Sequence, residues 1–173
     1  AGIMFLSVSA GFAFAKLKSK WTPFLYGSFI IGILLTVQSI MVPLFLAVRA
    51  VGLYNTRLGV LIPYIGIGMP IGVYLCTQFI KGIPDSVLES ARIDGASFFK
   101  IFGWIIVPMT KPVLMTLDIL KVPTVWNEFM LVNILVSSQR LRSLPVGIHI
   151  FSGALCSDYG RQFAALVIGL LPM

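Results

Sequence analysis

Apolar and polar positions divide this chain into long blocks. Ala1–Ala15 is apolar and ends at the lysine cluster Lys16, Lys18 and Lys20. Trp21–Val48 is 28 residues without Asp, Glu, Lys or Arg, and Leu58–Ile80 is 23 such residues. Ile101–Gln139 is again apolar but carries Lys111, Asp118, Lys121 and Glu128, and Gln162–Met173 opens a last apolar run. A spanning helix needs about 20 apolar residues, and lipid offers backbone groups no partners, so each long run must be helical. The pattern predicts an all-α, multi-pass transmembrane bundle, one domain over 1–173. Ala1–Ala15 is short for a span, and the last run also looks cut. The chain is therefore expected to be truncated at both ends.

Composition agrees. The chain is 58% hydrophobic and 11% charged, with a mean hydropathy of +0.98. Soluble domains average roughly 45–50% apolar and about 25% charged. The net charge of +7 comes from 13 Lys+Arg against 6 Asp+Glu. These charges are scattered through connections, where they suit a topogenic role beside anionic headgroups. No basic stripe or aromatic platform suggests nucleic acid. One set of connections carries Lys16, Lys18, Lys20, Lys81, Arg92, Lys100 and Lys111, and the other carries Arg49, Arg57, Arg140, Arg142 and Arg161. The margin places Lys16–Lys20 and the 81–100 connection in the cytoplasm. Cys76 lies in an apolar run and Cys156 in a polar loop, an arrangement unsuited to a disulfide or a CxxC pair. His149 has no second metal ligand nearby, and no G-x-S-x-G elbow supports a hydrolase.

The connection "KGIPDSVLESARIDGASFFKIFGWIIVP", Lys81–Pro108, reads as two short helices with a hinge. Pro84 blocks continuation of the preceding span. Ser86 and Glu89 have the spacing of a capping box. Val87, Leu88 and Ala91 share a face, and Gly95 stands where a left-handed C-terminal residue is wanted. Ser97 is placed to cap a second helix, and Pro108 marks entry to the next span. On these residues alone, an amphipathic helix on the headgroups and a docking site for a cytoplasmic partner are both open.

Further features concern the spans. Gly68 and Gly72 have the GxxxG spacing that lets helices approach closely, and Pro70 between them predicts a kink. Ordinary packing and a helix that bends during transport are both open. Asp118 and Lys121, three residues apart, predict a shared helix face and an ion pair. They could be a compensated internal pair or could line a solute path. Pro123 should kink the same helix. Trp126, Asn127 and Glu128 read either as an interfacial anchor or as a cluster that stacks on and hydrogen-bonds a sugar.

The spacing Glu89-Ser90-Ala91, three residues, Gly95, nine residues, Ile105, one residue, Val107-Pro108 resembles the EAA motif of ABC-importer permeases, EAA-x3-G-x9-I-x-LP. "ESARIDGAS" resembles the form found in the carbohydrate-uptake (MalG-like, binding-protein-dependent) subfamily, with Ser90 for Ala and Val107 for Leu as departures. "LYNTRLGVLIPY", "WNEF" and "LRSLPVGI" resemble further family segments in the same order. The resemblance implies a type I permease fold whose segment 84–100 is a cytoplasmic coupling helix. Glu89, Ser90, Ala91, Arg92, Asp94 and Gly95 would then lie at the contact with an ATPase. The candidate translocation path is Asp118, Lys121, Trp126, Asn127 and Glu128. No G-x-x-x-x-G-K-[ST] loop is present, so the chain is not expected to be an enzyme or to bind a cofactor. ATP and Mg would sit on a partner. Implied partners are a second, MalF-like permease, two P-loop ATPase subunits and an extracytoplasmic solute-binding protein. The implied location is a bacterial or archaeal cytoplasmic membrane, and the implied cargo a sugar or related carbohydrate. The principal rival is an ion-coupled secondary transporter using Asp118, Lys121 and Glu128 as a relay. A second is a membrane-anchored scaffold without a transport path.

Overall fold

The computed structural model describes residues 2–17, 19–149 and 159–170, and among them there is no β-strand. In chain order the helices are α1 (Gly2–Lys16), α2 (Thr22–Leu34), α3 (Val37–Ala50), α4 (Arg57–Lys81), α5 (Asp85–Ile93) and α6 (Phe98–Ile101). A π-helical stretch, Phe102–Ile106, leads into α7 (Val107–Met109). Then follow α8 (Lys111–Trp126), α9 (Met130–Leu135), a 3-10 turn (Gln139–Leu141), α10 (Leu144–His149) and α11 (Tyr159–Leu170).

The chain forms two compact units. The first comprises Ala1–Thr36 and Ile65–Lys121, the second Val37–Tyr64 and Val122–Met173.

α4 meets the length expected of a span, one residue longer at each end than the charge-free run. Among the described residues it is the one unbroken helix long and apolar enough to cross a membrane. It runs helically through Pro63 and Pro70.

Two expectations of continuous spans are corrected. Trp21–Val48 is divided between α2 and α3, because Leu35 adopts an extended backbone (φ −76°, ψ 120°). Ile101–Gln139 is divided as well. A turn at Thr110 separates α7 from α8, and the chain leaves helix again between Trp126 and Met130. The break at Leu35–Thr36 coincides with neither a charge nor a proline, so hydropathy alone does not register it, whereas the breaks in Ile101–Gln139 fall beside Lys111 and at Glu128. α8 stays helical past Pro123.

In the first unit, α1 and α4 come together along glycines. A Cβ on Gly68 would stand 2.6 Å from Ile3 Cδ1, and one on Gly72 would overlap the Ser7 side chain. The GxxxG expectation is met on this face. Across the same contact, a Cβ on Gly11 would lie 2.7 Å from Cys76 Cβ and 3.1 Å from the Thr77 backbone nitrogen. The core here gathers Val8, Phe12, Cys76, Ile80, Ile83, Leu88, Ala91, Ile101, Ile106 and Val113. Residues of α5 and α6 thus belong to the same core as α1 and α4.

In the second unit, α9 supplies the buried centre through Leu131, Val132 and Leu135, with Val136 just beyond. Phe45 meets Tyr54 edge-on at 5.6 Å between ring centres. A Cβ on Gly169 of α11 would lie 3.2 Å from Leu144 Cδ2, which fixes how closely α10 and α11 pack.

Candidate functional site

The segment following α4 is a short helix with one face buried and one free. Leu88 and Ala91 are buried, Val87 is half-buried, and Glu89, Ser90, Arg92, Ile93 and Asp94 are exposed. The shared apolar face expected of Val87, Leu88 and Ala91 is present. The outward face carries three charges and Ile93, 86% exposed. Among the described residues none of Glu89, Arg92 and Asp94 forms an ion pair.

The start of this helix differs from expectation. Pro84 occupies the N-cap position with φ −57° and ψ 137°, and no side chain caps the helix. Asp85 is the first helical residue, so Ser86 is already inside the first turn. Its hydroxyl cannot reach the backbone N–H groups a capping box satisfies. The end of the helix meets expectation. Gly95 has φ +77°. Its N–H donates to the Arg92 carbonyl at 3.0 Å, and the Ala96 N–H donates to the Ala91 carbonyl at 3.0 Å. These are the two bonds of a Schellman ending. Ser97 stands at the N-cap of α6 with extended backbone but makes no side-chain cap bond.

Ser90, where the related motif has alanine, donates its hydroxyl to the Val87 carbonyl at 3.1 Å. The hydroxyl's one donor is thus engaged by its own helix.

The sequence reading missed what holds the segment. Lys16, counted there as a topogenic charge, donates to the Ile83 carbonyl at 2.7 Å and to Asp85 Oδ1 at 2.6 Å. Its side chain is 10% exposed. The 69 residues separating Lys16 and Asp85 left no local spacing to signal the pair.

The residues assigned to a solute path are divided between the two units, Asp118 and Lys121 in the first and Trp126, Asn127 and Glu128 in the second. Asp118 and Lys121 share α8, but the expected ion pair is not formed. Asp118 is exposed and Lys121 half-buried. On a rod of 3.6 residues per turn the i, i+3 spacing permits contact without requiring it. Trp126 and Asn127 line a cleft of about 300 Å³ together with Phe129, Leu144, Gln162 and Leu166. The Trp126 indole N–H donates to the Gly169 carbonyl at 3.0 Å. Glu128 has a different task. Its Oε1 accepts the Leu131 N–H at 2.8 Å and so caps α9.

A second unanticipated residue is Asn55, which holds φ +58°. Its N–H donates to the Leu135 carbonyl at 3.0 Å. Its Oδ1 accepts the N–H groups of Ser137 and Ser138 at 3.1 and 2.9 Å. Asparagine tolerates the left-handed region better than most residues, which is the one local sign the sequence carried. Lys18 and residues 150–158, Cys156 among them, lie outside the described residues. So does the side chain of His149.

The described residues thus combine an all-helical fold, one long apolar helix and a structured, charged connection. Residues 4–172 match the family described as "Binding-protein-dependent transport system inner membrane component", and the chain belongs to that family. It is 33% identical over 173 residues to the multiple sugar-binding transport system permease protein MsmG of Streptococcus mutans, covering 98% of this chain. It is 32% identical over 166 residues to the trehalose transport system permease protein SugB of Mycobacterium tuberculosis, covering 96%. The chain spans 62% and 60% of those relatives' lengths. A crystal structure of a bacterial ABC transporter that imports the acidic polysaccharide alginate is similar in fold. Its TM-score is 0.75 at 22% identity, covering 96% of this chain and 58% of that one. The ABC-importer permease family expected from the EAA-type motif is thus the family found.

Proposed function

We propose that the chain belongs to the permease subunit of an ATP-driven carbohydrate importer, multi-pass in the cytoplasmic membrane of a bacterium or archaeon. In this reading α5 is the coupling helix. Glu89, Ser90, Ala91, Arg92, Asp94 and Gly95 meet a separate P-loop ATPase, which binds ATP and Mg. A second permease completes the pathway, a second ATPase the pair, and an extracytoplasmic binding protein delivers the solute. The relatives' printed functions, sugar and trehalose transport, support the cargo class.

The observation that carries the reading is the construction of α5. Its inner face is anchored in the core of its own unit, and its outer face presents unpaired charges. Its end is a glycine in a conformation that most residues avoid. An element meant to transmit force needs such an anchor and such a turn, and coupling requires a two-state element that both sites bias. Asp118, Lys121, Trp126 and Asn127 remain candidates for the solute path. The ion-relay rival is weakened by Glu128, whose carboxylate is committed to the start of α9.

The test is co-purification and transport. The intact subunit should bring down a P-loop ATPase and support solute uptake that requires ATP. Uptake driven by an ion gradient with no ATPase bound would overturn the reading.

A further inference from the structure

α1 holds the 83–102 segment at two points that lie on either side of Gly95. Ahead of the glycine, Lys16 bonds the Ile83 carbonyl and the Asp85 carboxylate. Beyond it, the Phe12 ring packs against Phe98 at 5.2 Å and Phe102 at 5.5 Å between ring centres. Phe12 and Lys16 are four residues apart, so they lie on one face of α1. Between the two contacts Leu88 and Ala91 are buried in the same core as Val8 and Phe12. Gly95 itself is unobstructed, since a Cβ there would meet nothing within 4 Å.

The two contacts differ in kind. The lysine contact is directional and short-ranged, made by a nearly buried cation whose two acceptors leave it little freedom. Asp85 is the first residue of α5, where the helix dipole also favours a carboxylate. The aromatic contact is apolar packing, with the buried Phe12 ring tilted at 40° and 39° to its two neighbours. The segment is thus held to α1 by polar bonds ahead of the glycine and by ring packing beyond it.

We propose that Lys16 and Phe12 form a clamp across the Gly95 turn that delivers movement of the coupling helix to α1, with Lys16 as the positioning residue. The inference rests on the coupling reading above. A turn of α5 about Gly95 displaces Asp85 and Ile83. Because Lys16 grips both, the end of α1 follows, while the Phe12 stack keeps the far side of the turn against α1.

The test uses the assembled importer in proteoliposomes, reading ATP hydrolysis and solute uptake side by side. Lys16→Met keeps the aliphatic stem and removes both polar bonds. The expected result is an assembled complex whose ATP hydrolysis persists while solute moved per ATP falls about tenfold, a coupling change of the size reported by such networks. Lys16→Arg should recover most of that ratio, and Phe12→Leu should lower it independently. An unchanged ratio in Lys16→Met overturns the clamp while leaving the coupling reading intact. Failure of both Lys16→Met and Asp85→Asn to assemble also overturns it, because the pair would then serve assembly alone. If the unaltered importer shows no ATP-dependent uptake, the coupling reading falls and takes the clamp with it.

Discussion

α5 and α9 are both short helices joining longer ones, and they are finished in opposite ways. α9 is fastened by side chains at both ends. Glu128 receives the Leu131 N–H at its start, and Asn55 binds the Leu135 carbonyl and the Ser137 and Ser138 N–H groups past its end. α5 has no side-chain cap; its start is held from outside only by Lys16 on Ile83 and Asp85, and its end closes through backbone bonds alone around a glycine. α9 also contributes Leu131, Val132 and Leu135 to the interior, whereas α5 buries Leu88 and Ala91 and leaves Glu89 and Arg92 exposed. A helix tied by distant side chains loses several bonds if it moves. A helix closed by its own backbone can turn at its glycine without breaking any long-range bond there. The difference separates a fixed strut from an element able to carry motion.

The largest effect that would sharpen this contrast is expected at Gly95. Gly95→Val should abolish ATP-dependent uptake while the subunit still inserts, because a β-branched residue resists φ +77°. No neighbour obstructs a side chain at this position, so Gly95→Asn should retain much of the activity. Equal loss in both variants would show that side-chain volume matters there and not backbone conformation.

Asn55→Ala comes next. It removes two side-chain acceptor bonds and leaves a less tolerant residue at positive φ, for a loss of about 2–3 kcal/mol. Asn55→Asp keeps the acceptor and should lose much less. Unfolding of the detergent-solubilised subunit measures both, and an unaltered midpoint in Asn55→Ala would remove the strut interpretation of α9. Glu128→Ala should cost about 1 kcal/mol, the usual worth of a helix cap, with Glu128→Gln recovering most of it. The smallest effect belongs to Ser86→Ala, expected within about 0.5 kcal/mol because the exposed hydroxyl caps nothing. A loss above 1 kcal/mol would restore the capping box to the start of α5.

The sequence made legible the features that repeat a local rule. The charge-free run Leu58–Ile80 marked α4 because composition tracks lipid burial. Gly68 and Gly72 marked a close helix contact because only glycine permits it. Gly95 marked a turn because few other residues hold a left-handed backbone. What stayed illegible is set by tertiary position. Ser86 had the spacing of a cap, but Pro84 took the N-cap position and shifted the helix start. Lys16 and Glu128 looked like a topogenic charge and a path residue until long-range and turn geometry gave them partners. Asp118 and Lys121 had the spacing of a pair without forming one.

The division at Leu35 has a consequence for biogenesis. An insertion machinery that weighs apolar content sees Trp21–Val48 as a single passenger, well above the length needed to partition into lipid. The fold contains two helices of 13 and 14 residues instead, each about 20 Å long and short of the roughly 30 Å hydrocarbon layer. The backbone opened at Leu35 cannot remain facing lipid and must find its partners among protein groups. Partitioning of this stretch and its final packing are therefore distinct events. A substitution that straightens the break, leaving hydropathy unchanged, would pass quality control at insertion and fail only at assembly.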